Sequence, residues 1–285
     1  MRDRLLIAVA LLVLLAGCGS KEEKQFQGVP FEEPGPIHVH ALGFDPQTRT
    51  LYIATHTGLW QLPEGEAKAK RITDRRQDTM GFTLVRRGLF LGSGHPDRRD
   101  ANPDLPPLLG LIKSSDNGRT WQQISLLGKA DFHILRTARS RTYGFDSTHN
   151  LLMRSEDGGT SWSRSKVPEP LLDLAIDPAD AEHLIASGEV VLYESIDAGR
   201  SWHVLAATPG YLAWPLPKRL YLFDPQGRVL VSDGPRGHFR ALGSVGQPLH
   251  AVLVTSEKEM YAAIEDGAIK RSLDGGRTWQ LRSQP

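Results

Sequence analysis

The chain has 285 residues, and its 34 Lys and Arg residues nearly balance its 33 Asp and Glu residues, giving a formal net charge of +1. That balance argues against a polyanion-binding surface, so we expect neither DNA nor RNA as a partner. Cys18 is the only cysteine, so no intramolecular disulfide can form and burial must hold the fold together. The length suffices for one large domain with its own core, and we expect a monomer.

The first 17 residues have the pattern of a secretory signal. Arg2 and Arg4 precede an apolar run from Leu5 to Ala16, which is too short to span a bilayer. The run ends in Leu15-Ala16-Gly17-Cys18, which resembles a bacterial lipobox. The resemblance implies cleavage before Cys18, lipid attachment to its sulfur, and a membrane-anchored location outside the cytoplasm. A chance cysteine in an ordinary secretory signal is the alternative.

Residues 18–36 then form a polar segment rich in Lys, Glu, Gln, Gly and Pro, which predicts a flexible tether. Residues 37–285 are predicted to form a single all-β domain, because short alternating or apolar runs recur between turn residues without a long helical period. The first unit is predicted from about His38 to Thr73, with strands at Val39–Phe44, Leu51–Thr55, Leu59–Leu62 and Lys70–Ile72. Five further units are predicted to start near Asp78, Asp131, Leu171, Gly210 and Leu249.

An eight-residue phrase, which we call the repeat box, supports that division into units. Four copies fit S-x-D-x-G-x-[TS]-W, and their tryptophans are separated by 41, 40 and 77 residues. Because 77 is close to two periods of about 39, a degenerate copy is expected between the last two, and Val231 to Phe239 lies there in register. The four complete copies are Ser114–Trp121, Ser155–Trp162, Ser195–Trp202 and Ser272–Trp279.

The repeat box resembles the Asp-box, or BNR repeat, of sialidase-like β-propellers. Its residues suit a hairpin, since an Asp can bond the backbone N–H groups of its own turn and Gly supplies a positive φ. We therefore predict a β-propeller of about six four-stranded blades, with the boxes between the third and fourth strands. Radial repetition of short sheets protects their edges. The ring closes either with whole sheets or with an added strand from Phe26–Val29.

In propellers of this type the box hairpins lie on one face, which we call the bottom. The connections between second and third strands and between blades lie on the opposite face, the top, where loops on a rigid scaffold are typical of binding sites. Most of the histidines fall there. His40, His133 and His250 share one position of a first strand. The candidate ligand-binding residues are His38, His40, His56, His95, His133, His250 and Asp173.

Three interpretations of this cluster remain open. It is a polar channel lining with trapped water, a site for a divalent metal, or a saccharide-processing site with Asp78 and Asp131 as the catalytic carboxylates. The metal candidates are His40, His133 and His250, and no local signature supports a particular cofactor. The aromatic residues Phe82, Phe132, Tyr143 and Phe145 are interpreted as core, with stacking on a sugar as the alternative.

The whole chain resembles bacterial lipoproteins that are classed with sialidase-like, BNR-repeat glycosyl hydrolases. The resemblance rests on the lipobox, the repeat boxes, His38-Val39-His40, Asp78–Phe82, Ser93–Pro96 and Asp131-Phe132-His133. No Phe-Arg-Ile-Pro-like motif of true sialidases is present, so sialic-acid cleavage is not expected. Two functions follow: a surface-anchored module that binds a glycan or another cell-surface or cell-wall ligand at its top face, or a glycoside hydrolase on extracellular saccharides, with or without a metal.

Overall fold

The computed structural model describes residues 35–97, 99, 105–206 and 208–285; the lipobox, most of the tether and Phe26–Val29 lie outside them. The described residues form six antiparallel sheets of four strands each, and every sheet uses four strands that are consecutive in the chain. This confirms the prediction of an all-β propeller with six blades. No helix occurs in the described part of the chain, hence none capable of crossing a membrane.

The predicted units agree closely with the blades. Each blade begins within two residues of its predicted start. The strands, four to a blade, are β1 (Val39–Asp45), β2 (Thr50–Thr55), β3 (Gly58–Pro63), β4 (Lys70–Arg71), β5 (Asp78–Arg86), β6 (Leu89–His95), β7 (Leu111–Ser114), β8 (Gln122–Ser125), β9 (Phe132–Ala138), β10 (Arg141–Asp146), β11 (Leu151–Ser155), β12 (Ser163–Lys166), β13 (Asp173–Ile176), β14 (Leu184–Ser187), β15 (Leu192–Ser195), β16 (His203–Ala206), β17 (Tyr211–Leu216), β18 (Arg219–Phe223), β19 (Arg228–Ser232), β20 (Arg240–Ser244), β21 (Leu249–Val254), β22 (Met260–Ile264), β23 (Ile269–Ser272) and β24 (Gln280–Ser283).

The hydrophobic core lies between the blades. Each of six apolar clusters takes its residues from two neighbouring blades. In β2, Ile53 packs toward blade six while Tyr52 and Ala54 pack toward blade two, since successive side chains of a strand point to opposite faces. Both faces of the inner strands are therefore buried, which explains their nearly continuous apolar sequence.

The repeat box builds the hairpin between the third and fourth strands of its blade, as predicted. In the first copy, Ser114 Oγ donates to Asp116 Oδ1 and accepts the Gly118 N–H, both at 2.8 Å. The same carboxylate accepts the backbone N–H of Thr120 at 2.9 Å and its hydroxyl at 2.6 Å. The other three complete copies repeat these bonds to within about 0.1 Å.

The glycine of the box brings the hairpin against the preceding blade. Gly159 has φ +91°, and a Cβ there would lie 2.0 Å from Leu111 Cδ2 in β7. Gly118 and Gly199 approach Leu59 and Leu152 of their preceding blades in the same way. Phe239 of the degenerate copy packs in the cluster between blades four and five. The boxes thus set the contact between successive blades as well as the turn.

The ring closes with whole sheets at the junction of blades six and one, since neither sheet borrows a described strand from the other. Two arginines and two glutamates join the blades: Arg49 Nη2 lies 2.8 Å from Glu259 Oε1, and Arg271 Nη1 lies 2.8 Å from Glu64 Oε1. Arg271 also pairs with Glu259. Glu259 and Arg271 are mostly buried, so each needs an opposite charge to offset its desolvation.

Replacing Gly159 by Ala should lower the free energy of unfolding by about 3 kcal/mol, because a methyl group adds a clash with buried Leu111 to the cost of a positive φ. Gly158, its neighbour in the same box, has φ +73° and open space around its Cβ position. Gly158→Ala should therefore cost only about 1 kcal/mol. Urea unfolding, followed by tryptophan fluorescence, measures the free energy of unfolding of both variants. An equal decrease in the two variants would refute the packing role of Gly159.

The aspartates of the repeat boxes should make the protein less stable as the pH is lowered. Hydrogen bonds, above all from Thr120 and Thr278, lower the pKa of Asp116 and Asp274 to about 2. Since the unfolded value is about 4, this stabilisation is present above about pH 4 and is lost as the pH falls toward 2. Thr278→Val removes one donor and should weaken the dependence of the urea midpoint on pH between 5 and 2.

Thr160→Val is the matched control, because the Thr160 hydroxyl donates to the backbone oxygen of Asp157 and not to its carboxylate. Its pH dependence should equal that of the unmodified protein. A Thr278→Val variant with an unaltered pH dependence would show that the Thr278 hydroxyl does not contribute to the lowered pKa of Asp274.

Candidate functional site

Except for Asp173, the predicted ligand-binding and catalytic residues lie at the top ends of blades one, two, three and six. His38 and His40 stand at the start of β1, and His56 lies in the turn between β2 and β3. Asp78 begins β5 and pairs across the sheet with His95, the last residue of β6. Asp131 and His133 flank the start of β9, and His250 is the second residue of β21.

His40, His56 and Asp78 form one group, which we call the Asp78 cluster. His56 Nδ1 lies 2.8 Å from Asp78 Oδ2, a hydrogen bond that joins the top turn of blade one to blade two. His40 Nε2 lies 3.6 Å from Asp78 Oδ1, which is too far for a hydrogen bond. His40 Nε2 and Asp78 Oδ1 are both buried, and neither has a hydrogen-bond partner among the described residues.

The electrostatics of the Asp78 cluster keep the aspartate ionised and the inner histidine neutral. Burial lowers the pKa of His40, and the neighbouring Asp78 only partly opposes that effect. Burial alone would raise the pKa of Asp78, but the imidazoles of His40 and His56 outweigh it, so the pKa lies below its usual value. Asp78 is therefore a carboxylate at neutral pH.

His95, Asp131 and His133 form a second group, the Asp131 cluster. His133 Nε2 lies 2.9 Å from Asp131 Oδ2, while His95 Nε2 lies 3.7 Å from the same oxygen. His95 Nδ1 lies 2.8 Å from the carbonyl oxygen of Pro107, which can only accept, so Nδ1 carries a proton. Asp131 itself is almost fully buried, and its Oδ1 has no hydrogen-bond partner in the described part of the chain.

His38 and His250 extend the row of imidazoles around the channel mouth. The rings of His38 and His250 are stacked with centroids 6.3 Å apart, and His38 meets His56 edge-on at 5.2 Å. The row continues to His40, whose ring is perpendicular to that of His56 at 4.3 Å. Blades six and one thus contribute a row of four imidazoles in which each ring neighbours the next.

Asp173 has a different position from the other candidates. It is 2 % exposed, and its Oδ1 accepts the Leu174 N–H at 2.7 Å and pairs with Arg136. Its Oδ2 accepts the Leu212 N–H at 2.8 Å. Both oxygens are used within the protein, so this residue connects blades three, four and five.

The three histidines predicted as metal ligands, His40, His133 and His250, are not the group that the geometry favours. Among the described residues, the only three His, Cys, Asp or Glu side chains whose ligand atoms lie within 4.8 Å of one another are His40, His56 and Asp78. His133 and His250 line the same top cavity as His40 but do not complete such a group with it. The position that His40, His133 and His250 share in their first strands placed them around the same cavity, but not close enough to one another to bind one ion.

A cavity of about 360 Å³, which we call the basin, lies among these residues. His40, His133, Leu172 and Tyr211 line both the basin and a cavity of about 490 Å³ that the first strands line. Burial and the charge of Asp173 raise the pKa of Tyr211 to about 12. The basin is also lined by His38, His56, Met80, Leu171 and His250.

Sequence reasoning did not assign the apolar residues of the lining to the site; these are Val39, Met80, Ile134, Leu171, Leu172 and Tyr211. The sequence offered one clue to them: Leu171 and Tyr211 lie at or next to predicted blade starts, which are on the top face. The four aromatic residues interpreted as core, Phe82, Phe132, Tyr143 and Phe145, are indeed at most 3 % exposed. Part of the insertion that follows His95 lies outside the described residues.

Comparison with known proteins supports the fold class. No protein-family model and no curated protein sequence matches the chain. The structure titled "YCF48 bound to D1 peptide" matches with a TM-score of 0.56 and 15% identity, covering 87% of this chain and 83% of that one. The nidogen/laminin complex matches with a TM-score of 0.63 and 14% identity, covering 82% of this chain and 96% of that one.

A GH74 enzyme from Niastella koreensis also matches, with a TM-score of 0.60 and 14% identity over 87% of this chain. Only 45% of that enzyme is covered. At such identities the likeness establishes the fold alone. The chain is therefore a six-bladed β-propeller, a class in which the function depends on the particular site.

Proposed function

We propose that this protein is a membrane-anchored, extracytoplasmic lipoprotein whose sialidase-like propeller binds a glycan or another cell-surface ligand in the basin. The observation that carries the proposal is an open cavity of about 360 Å³ that is lined both by imidazoles and by Leu171, Leu172 and Tyr211. Imidazoles both donate and accept hydrogen bonds, and apolar side chains can cover the face of a sugar ring.

The scaffold supports binding at this place. The first strands, which carry His40, His133 and His250, pair with the second strands of their blades. Buried residues such as Val39 and Phe132 anchor them, so the backbone at these positions is ordered before a ligand binds. Peptide and protein ligands are the nearest alternatives, because the titles of two similar structures name a D1 peptide and a nidogen/laminin complex.

A glycoside hydrolase that uses Asp78 and Asp131 has less support. The general acid of such an enzyme needs a raised pKa, so that it holds a proton at neutral pH. The pKa of Asp78 is instead lowered by two adjacent imidazoles, which leaves only the base or nucleophile role open to it. A binding module needs no such acid.

Leu172→Arg should abolish glycan binding or weaken it at least about tenfold, because a large charged side chain would fill the basin. The measurement is a glycan array followed by titration of the best ligand, with a peptide array and isolated cell wall in parallel. Val204→Arg is the matched control: Val204 is 70% exposed on the outer strand β16, away from the basin, and its replacement should leave the affinity unchanged.

Equal affinity of both variants for every ligand would place binding outside the basin and refute the proposal. Binding of peptides alone would replace the glycan as the ligand class. Turnover of a saccharide that is lost in both Asp78→Asn and Asp131→Asn would identify an enzyme.

The lipid anchor is tested separately. Cys18→Ala removes the sulfur that the lipobox resemblance implies is lipidated, so the variant should move from the membrane fraction to the soluble fraction. Cell fractionation followed by immunoblotting measures this. A variant that stays in the membrane fraction, as the unmodified protein does, would refute lipidation at Cys18.

A further inference from the structure

We infer that the Asp78 cluster is a binding site for a divalent first-row transition metal of the zinc type, with His40 Nε2, His56 Nδ1 and one oxygen of Asp78 as its protein ligands. The inference rests on the positions of these atoms and does not depend on the glycan proposal.

The spacing of the ligand atoms suits a tetrahedral ion. Zinc binds imidazole nitrogen and carboxylate oxygen at about 2.0–2.2 Å, so two ligands of one tetrahedral ion lie about 3.3 Å apart. His56 Nδ1 lies 2.8 Å from Asp78 Oδ2 and His40 Nε2 lies 3.6 Å from the other carboxylate oxygen, Oδ1, so the two separations fall on either side of that value. One ligand atom from each of the three residues lies within 4.8 Å of the other two.

The hydrogen-bonding state of the cluster also favours a cation. His40 Nε2 and Asp78 Oδ1 are buried and face each other without a hydrogen bond between them. Buried polar atoms without partners are costly, and an ion between them would satisfy both. When a metal binds His56 Nδ1, the proton on that nitrogen would move to Nε2, because the ligating nitrogen must be unprotonated and a neutral imidazole keeps one N–H.

The ligand set selects the class of metal. Two imidazoles and one carboxylate suit zinc, copper, nickel or iron, whereas calcium and magnesium prefer oxygen ligands alone. Three protein ligands also leave a tetrahedral ion one open position. His40 and His56 both line the basin, and the His56 side chain is 43 % exposed, so that position is accessible to water or to a ligand in the basin.

The test is calorimetric titration of chelator-stripped protein with ZnCl₂, together with visible absorption after addition of Co²⁺. We expect one ion per chain and visible d–d bands of a low-symmetry site. His56→Ala and Asp78→Asn should each weaken Zn²⁺ binding by at least about tenfold to a hundredfold, since even residues that only orient metal ligands have effects of that size. Because the His56 side chain is exposed, His56→Ala should keep the native fold, and circular dichroism checks this.

Three controls separate this site from other Zn²⁺-binding groups. His149→Ala removes a histidine that pairs with Asp146 alone, at 2.7 Å, and should leave Zn²⁺ affinity unchanged. Cys18→Ser removes the only thiol and should also bind one ion. His133→Ala should retain binding within about threefold, because His133 pairs with Asp131 and not with Asp78.

The inference is overturned if stripped protein binds no Zn²⁺, or if His56→Ala and Asp78→Asn bind it as tightly as the unmodified protein does. A loss in His133→Ala as large as that in His56→Ala would overturn the assignment of ligands. Unchanged ligand affinity of Leu172→Arg in a protein that still binds Zn²⁺ would refute the basin proposal alone, so the two failures are distinguishable.

Discussion

The hydrogen-bonded turn of the repeat box is the constraint on which the rest of the structure depends. The carboxylate of Asp157 accepts bonds from three donors of its own turn, two backbone N–H groups and the Ser161 hydroxyl, and Ser155 fixes its orientation. This holds Gly159 in a conformation that places it against Leu111 of the preceding blade. One short segment therefore determines both a hairpin and the packing between two sheets, and its repetition produces a ring.

The ring explains why the top face can carry polar side chains that would be unfavourable elsewhere. Stability comes from the six apolar clusters between the blades and from the ionic junction of blades six and one. The first strands contribute to those clusters from both of their faces, as Ala41 and Leu42 do, and still leave some positions outside them. His40, between buried Val39 and Ala41, can therefore point toward the channel mouth without weakening the core.

Much of the fold was predictable because its signals are local. Box spacing predicted the blade number and register, and short alternating or apolar runs predicted strands such as β1 and β2. The site was predictable in part: the strand position of His40, His133 and His250 identified the channel mouth. Their actual partners depend on distances between blades, which no local pattern encodes. Thus His40 groups with His56 and Asp78, whereas Asp173, close to the corresponding position in blade four, pairs with Arg136.

The sequence by itself determined the repeat, the four-strand blade and the face on which the polar residues cluster, because each depends on turn chemistry or on a two-residue period. Only the tertiary structure decided which side chains meet. It joined His40, His56 and Asp78 from two blades, separated them from the Asp131 cluster, and placed Leu172 and Tyr211 of later blades in the same basin. The physical reason is that the closure of the ring, which buries apolar surface between every pair of blades, fixes these distances.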